Sequence, residues 1–480
     1  MTDLLLGLDI GTSSLKALLV DSRGRVEARV TERYDTRHPA HGHAEQDPDE
    51  WLSALDRVFD SLPSEVRDRI AGIGVDGHVP SLVAVDADGR PVLPCLTWQD
   101  ARATAEASHL ADRLGDAEQL FGTRIPWAAS QLPAKTAWLA AHAPETAART
   151  AHLLQPKDFV NLHLTDVVAT DAWSSKGLCH VTALTPAVEL FSEIGLSPAL
   201  LPPLRAPWTR LGGLSLRAAR RWGLPAGIPV AVGWSDAMAS VLATGGFDRP
   251  SAVVLTGTSE IVGMSAPAAH ETSGVYLVPR AVAPLALSYG PTQSSGSSLL
   301  WIARNLGIDV GKALDLAAEA GEPPTFAPYL DGERAPLWDA DVRGLFLGLH
   351  HSHGPGELVR AVLDGVACSA AHVLTTAGSG TGLTPTVVNV GGRGIDHPAW
   401  LAARASALAL PLRLHTESHL TALGAAMLAA LAAGAVLTDL DAMRGKTGHR
   451  EPTSSEIERG VGLRDRYLAA SRVAQDWSTR

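Results

Sequence analysis

Apolar residues along this chain fall into strand-length runs separated by polar loops and longer amphipathic stretches. "LLLGLDIGTSSLKALLVD" (4–21) is an apolar run, a tight polar loop and a second apolar run. The same order returns in "SAVVLTGTSEIVGMSA" (251–266), with Gly-Thr-Ser at 11–13 and again at 257–259. Two copies so far apart predict paired domains rather than a stacked array. Between them, "IAGIGVDG" (70–77) and "SLVAVDADGRPVL" (81–93) read as strands, the latter with an Asp-Gly turn. "DARATAEASHLADRLG" (100–115) reads as a helix with Asp100 at its start, and "GIPVAVGWSDAMASVLATGG" (227–246) as a strand running into a helix. After the second loop the spacing predicts helices near 296–306, 356–377, 398–409 and 418–433, and a strand in "PTVVNVGG" (385–392). The expected architecture is α/β in both halves, with domains at 1–245 and 246–440 and a peripheral tail at 441–480.

Composition narrows this picture. A chain of 480 residues exceeds one core, and 46% hydrophobic with 19% charged residues suits a soluble globular protein. The net charge of −11 argues against a nucleic-acid surface. Cys95, Cys179 and Cys368 are odd in number and far apart, which is neither a disulfide framework nor a CxxC site and fits a reducing cytoplasm. The acidic start lacks the basic region of a signal peptide. "LGAAMLAALAAGAVL" (423–437) is shorter than the roughly 20 residues of a membrane span and reads as a buried helix.

The first loop carries more hydroxyls than a turn needs. It is neither a Walker A loop nor GxGxxG, but the backbone N–H groups and hydroxyls of Gly11, Thr12 and Ser13 suit phosphate oxygens. Asp9 has the wrong sign for phosphate and the right one for the water shell of Mg²⁺. Lys16 adds positive charge there or simply projects from an exposed strand; a plain hairpin is the bland alternative. Asp236 ends a strand and opens a helix, where a carboxylate either faces the ligand crevice of an α/β sheet or caps the helix. Facing the crevice, it would take the proton of a hydroxyl attacking a γ-phosphoryl group. "LTWQDARA" (96–103) offers Trp98, Gln99, Asp100 and Arg102 to a polyol, unless Asp100 merely caps the helix and Arg102 lies in solvent. "YLDGERAPLWDADVRGLFLGL" (329–349) is a long charged loop of the kind that has a task or is disordered. No Gly-x-Ser-x-Gly elbow occurs, "LHHSHG" (349–354) lacks partners of zinc spacing, and "HPAHGH" (38–43) reads as surface loop.

Taken in order, these motifs resemble the FGGY carbohydrate kinases of the actin/hexokinase/Hsp70 superfamily, from Leu4 to about Gly434. "GLDIGTSSLKALLVD" and "LTGTSEIVG" resemble the two phosphate loops, "AEQDPDEWLSAL" an acidic-plus-Trp segment and "PCLTWQDARA" the substrate-side motif. "AKTAWLAAHAPE" and "LLQPKDFVNLHLTDVVATD" resemble lysine-bearing stretches, "VGWSDAMASVLATG" the segment of the catalytic aspartate, and "GERAPLWDADVRGLFLGL" and "ELVRAVLDGVACSAAHVL" signatures of the second domain. The resemblance implies two actin-like (ribonuclease H-like) domains flanking a central nucleotide/sugar cleft. It implies ATP with its phosphates at Gly11, Thr12, Ser13 and Lys16 and at Thr256, Gly257, Thr258 and Ser259, its nucleoside near Gly391, Gly392 and Arg393, and Mg²⁺ near Asp9 and Asp236. The sugar would meet His78, Val79, Trp98, Asp100, Arg102 and Asp236, with Asp236 the catalytic base.

Two stretches depart from the pattern. Where many xylulose kinases carry Gly-Gln-Met-His-Gly, this chain has "DGHVPS" (76–81), with His78, Val79 and Pro80 at the Gln, Met and His positions; the adenosine-side "GGGA(R/K)S" appears as "GGRGIDHP" (391–398). "GERAPLWDAD" resembles gluconate kinases as much as xylulose kinases. The implied activity is ATP-dependent phosphorylation of a small sugar or polyol, a ketopentose such as xylulose, with gluconate or a tetritol as alternatives. From another class, a non-catalytic actin/Hsp70-like ATP switch or a sugar-sensing regulator stays open. The expected partners are a small sugar or polyol, without nucleic acid or membrane; the expected location is the cytoplasm, and a homodimer is one candidate assembly.

Overall fold

The computed structural model describes residues 3–393 and 395–478. It divides into two compact units: residues up to Ala243 together with His419–Gly445, and Thr244–Ser418 together with the residues from Lys446.

The first unit is built on a seven-stranded sheet. Its strands run in the order Arg210–Gly213, Pro229–Ala231, Ile70–Gly77, Leu4–Ile10, Ser14–Asp21 and Val26–Arg33, with Trp234–Ser235 pairing on Ile70–Gly77. Leu4–Ile10 is buried at every position, as expected for a strand covered on both faces, whereas Val26–Arg33 alternates between half-buried and exposed. Leu4, Leu6, Leu8 and Ile10 share a core with Trp51, Leu55, Val58 and Phe59 of the Pro48–Ser61 helix, whose first turn is capped by Asp47. The intervening positions face the Ala-rich helix Leu420–Ala432. A Cβ on Gly7 would lie 1.8 Å from the Ala422 carbonyl oxygen, and one on Gly74 1.9 Å from that of Ala425, so the helix backbone rests directly on the strands. A Cβ on Gly424 would lie a comparable 2.0 Å from the Ala239 carbonyl oxygen, so the Asp236–Ala243 helix seats on the same element.

The second unit repeats this plan. Its strands run Tyr276–Val278, Ala286–Pro291, Glu260–Ala266, Ser251–Thr256, Val388–Gly392, Leu412–His415 and Gly448–Arg450. In both units a central strand pairs antiparallel through its Gly-Thr-Ser hairpin and parallel on its other side, with a further parallel strand and an outer antiparallel one beyond. The echo in sequence is therefore an echo in topology. Pro355–Thr381 is, among the described residues, the one helix long and apolar enough to cross a membrane, and 78% of that window is buried inside the fold.

Three expectations are corrected here. The 246–440 segment does not stay together, because the Leu420–Ala432 helix packs on the glycine-bearing strands of the first unit. The tail from 441 is not peripheral: Leu463, Tyr467, Ala470 and Ala474 of the Ser454–Ser478 helix enter the second core, and the Tyr329 hydroxyl bonds the hydroxyls of Tyr467 and Ser471 at 2.8 Å each. The helix predicted from 100 starts at Thr104, with no side-chain cap, because Asp100 is spent elsewhere.

Candidate active site

Three strand ends of the first unit bring three carboxylates together. Asp9 lies opposite Lys16 across the hairpin, and the Lys16 Nζ donates to Asp9 Oδ2 at 2.8 Å. Parallel pairing puts Asp76 beside Asp9, and Trp234 beside Asp76, which delivers Asp236 two residues later. Asp76 is fully buried and neither of its oxygens meets a donor. It bonds Asp9 only in protonated form, and burial, then Asp9, then Asp236 hold its carboxyl well above the usual range. Asp236 is half-buried and accepts the Ala237 N–H at 2.7 Å. Burial first and Asp9 second push it up to about 7, against the pull of Ala237, Lys16 and Lys176. A carboxylate titrating there can both accept and hold a proton near neutrality.

The hairpin loop is braced by a residue that the sequence reading overlooked. The Gln46 amide nitrogen donates to the Thr12 carbonyl at 2.5 Å and to Thr36 Oγ1 at 2.8 Å, and its oxygen accepts from Trp51 Nε1 at 3.2 Å. That oxygen also faces His78 Nε2 at 3.2 Å, so Nε2 carries the ring proton and Nδ1 accepts from the Ser81 hydroxyl at 2.7 Å. His78 is therefore buried with both nitrogens spent inside the protein, and burial pushes it down to about 3, leaving it neutral. Val79 is half-buried on the same turn.

The second substrate-side loop is tied to the first. Trp98 Nε1 donates to Thr12 Oγ1 at 2.9 Å, which joins the expected sugar motif to the expected phosphate loop. Asp100 does not cap a helix: it is fully buried and accepts the Ala44 N–H at 2.7 Å and the Arg102 guanidinium. Arg102 is not in solvent either. It also bonds Glu45 at 2.6 Å and lies 4.9 Å over the Trp138 ring. Under both loops sits Lys135, fully buried, donating to the carbonyls of Pro80 and Thr97.

In the second unit, Gly257 and Thr258 are exposed while Thr256 and Gly391 are buried. The Thr258 carbonyl accepts the N–H groups of Ser295 and Ser297 at 3.0 and 3.2 Å, so the loop is locked to the start of the Gly296–Leu306 helix. Thr256 pairs with Gly392, where a Cβ would lie 2.0 Å from the Thr256 oxygen at a φ of +93°, and its carbonyl accepts the Arg393 N–H. Beneath the strand, Arg404 bonds Thr256 Oγ1 at 2.8 Å and forms a buried ion pair with Glu260. The 329–349 loop is ordered: Glu333 accepts the Gln293 and Arg334 N–H groups, and burial pushes it up to about 7.

Comparison with known proteins decides the family. The model of the FGGY family of carbohydrate kinases matches its N-terminal domain to residues 4–243 and its C-terminal domain to 252–433. This chain belongs to the FGGY family of carbohydrate kinases. It is a sugar kinase of two actin-like α/β domains. It is 30% identical to a xylulose kinase of Escherichia coli (strain K12) over 447 residues, covering 89% of this chain and 90% of that one. A gluconokinase of Bacillus subtilis (strain 168) is 29% identical over 389 residues, 76% of this chain and 75% of the other. The crystal structure of a xylulose kinase from Rhodospirillum rubrum superposes with a TM-score of 0.88 at 27% identity, covering 99% and 100% of the two chains.

For an FGGY kinase the donor set has a clear bias. Among the described residues no three His, Cys, Asp or Glu side chains converge as a metal cage. Mg²⁺ does not need one, since it keeps several waters and takes one or two carboxylates plus phosphate oxygens. Asp9, Asp76 and Asp236 crowd three carboxyl groups together, and the burial and mutual repulsion that hold protons on Asp76 and Asp236 are what a cation would relieve, so the residues fit the ion. Asp76 was legible only as a charge ending the otherwise apolar "IAGIGVDG" strand, and Gln46 carried no signal beyond its place before Trp51.

Proposed function

We propose that this FGGY kinase transfers the γ-phosphoryl group of ATP to a hydroxyl of a small sugar, a ketopentose such as xylulose, in the cytoplasm. The observation that carries this reading is Asp236, placed by its strand beside Asp9 and Asp76 and pushed up to about 7. A non-catalytic nucleotide switch has no use for a third carboxylate in a crowded, partly desolvated cluster, where it costs folding energy.

Asp236 accepts the proton of the attacking hydroxyl, and the Ala237 N–H holds its carboxylate in place. Gly11, Thr12 and Ser13 offer main-chain N–H groups and hydroxyls to phosphate oxygens, and Gln46 fixes that loop through the Thr12 carbonyl. Lys16 keeps positive charge beside Asp9. Gly257, Thr258 and Ser259 offer the same chemistry in the second unit, with Gly391, Gly392 and Arg393 on the nucleoside side. Asp9 and Asp236 would hold Mg²⁺, largely through water, and the ion supplies neutralisation of charge on the transferring group. His78, Asp100 and Arg102 act mainly by shaping the wall from which Val79 and Trp98 meet the sugar.

A panel of D-xylulose, D-ribulose, erythritol, glycerol and gluconate, scored by sugar-dependent ADP release, tests the proposal. Release with a ketopentose is the expected result. Nucleotide binding without ADP release for any sugar would establish the switch or regulator reading instead.

A further inference from the structure

Lys135 sits in the Leu132–His142 helix with its side chain fully buried. Burying an ammonium is costly, and proteins normally offset it with a carboxylate. Here both of its hydrogen bonds go to main-chain carbonyls, Pro80 at 2.8 Å and Thr97 at 2.6 Å. Those two carbonyls belong to loops seventeen residues apart that carry the proposed sugar wall, Val79 on one and Trp98 on the other. Packing alone would be served by an apolar side chain of the same length, so the charge has another task.

We propose that Lys135 is a positioning residue for the sugar, its buried ammonium clamping the 78–81 turn to the 97–100 loop and so setting the width and selectivity of the sugar wall. This rests on the proposed kinase function and names its selectivity element.

The surrounding bonds show why the clamp would be felt at the wall. The 78–81 turn is held from behind by His78 to Gln46 and by the Ser81 N–H to Gln155, and the other loop by Thr97 to Ala44 and Trp98 to Thr12. The two loops are joined at one end by paired main-chain bonds between Leu82 and Leu96, at 2.9 and 3.0 Å, and Lys135 bridges them beyond that pair, on the side of Val79 and Trp98. Without it, the Pro80 carbonyl loses its donor and the Thr97 carbonyl keeps only the Asp100 N–H, and either water enters or the loops part beyond the Leu82–Leu96 pair. Burial disfavours the ammonium and pushes Lys135 down to about 7, against Cys95 and Asp100, which favour the charge.

The test is Lys135→Met, which keeps length and volume, with Lys135→Gln as a shorter variant that retains a donor. Steady-state kinetics with the preferred sugar, Mg-ATP titration and the kcat/KM ratio between two sugars of the panel are measured, with circular dichroism as the control for folding. The expected result for Lys135→Met is a sugar KM raised roughly tenfold or more, for the loss of a charge-assisted bond. Its ATP KM should stay within about threefold, its sugar ratio should change, and Lys135→Gln should recover part of the loss. Equal losses for both ligands, an unchanged sugar ratio, or failure of both variants to fold would each overturn the proposal in favour of a purely structural lysine. If the wild-type enzyme releases no ADP with any sugar, the kinase reading falls, and sugar titration of tryptophan fluorescence in wild type and Lys135→Met still decides the clamp: equal affinity overturns it.

Discussion

Replacing Asp236 by asparagine separates chemistry from folding, because the two effects should run in opposite directions. Asparagine keeps the shape and the acceptor for the Ala237 N–H, 2.7 Å away in the wild type, but it cannot accept the substrate proton. General-base removal costs about 10²–10⁴-fold in kcat, with sugar affinity little changed. Stability moves the other way. The native carboxyl titrates at about 7 against 3.8 for the ordinary group, so the folded state holds the proton across that window while the unfolded state releases it. The favourable contribution is fully present below pH 3.8 and is lost as pH rises through about 7, leaving a half-buried charge at pH 8. The ceiling is about 4 kcal/mol at 1.36 kcal/mol per unit, and solvent screening at this half-buried position brings it to about 1–2 kcal/mol. Thermal unfolding should therefore show the Asn variant more stable than wild type at pH 8 and level with it near pH 3.5. Wild-type kcat/KM should fall tenfold per unit below about pH 7, a limb that the variant lacks. Near-full turnover of a folded Asp236→Asn enzyme would refute the mechanism; a variant less stable than wild type at pH 8 would refute the electrostatic account.

Gly257→Val should fold normally, since an added Cβ meets nothing nearer than the Ser259 oxygen at 3.4 Å, and should raise the ATP KM by about 10–100-fold through lost phosphate approach; unchanged nucleotide affinity would remove Gly257 from the site. His78→Ala breaks the bonds to Gln46 and Ser81 and the edge contact with Trp51, so urea denaturation should show a loss of about 2–3 kcal/mol, and the sugar KM should rise more than the ATP KM. Arg102→Ala leaves the fully buried Asp100 without its cation, an expected loss of about 3–5 kcal/mol, with the same bias toward the sugar; equal effects on both ligands would make either residue a general folding element. Arg404→Met should cost a similar ~3–5 kcal/mol by stranding Glu260, and adding Glu260→Gln should recover most of it; a single variant as stable as wild type would deny the buried pair.

The chain order of apolar runs and polar loops, read alone, determines two α/β halves, the paired Gly-Thr-Ser hairpins, most helix positions and the placement of Asp236 at a strand end. These are local properties, carried by periodicity and by a loop too polar for a simple turn. The tertiary structure decided what depends on residues far apart. Leu420–Ala432 looks like any apolar helix until Gly7 and Gly74 are seen to admit its backbone, which returns it to the first unit. Ser454–Ser478 reads as polar because one face meets water, yet Tyr467 on its other face completes the second core. Asp76 becomes significant only when parallel pairing sets it beside Asp9, and His78, Asp100 and Arg102 prove to support the wall because their polar atoms are already bonded inside. A sequence states which groups are present; whether a buried polar atom is spent on the protein or left for a ligand is settled only by what the fold places within hydrogen-bonding reach.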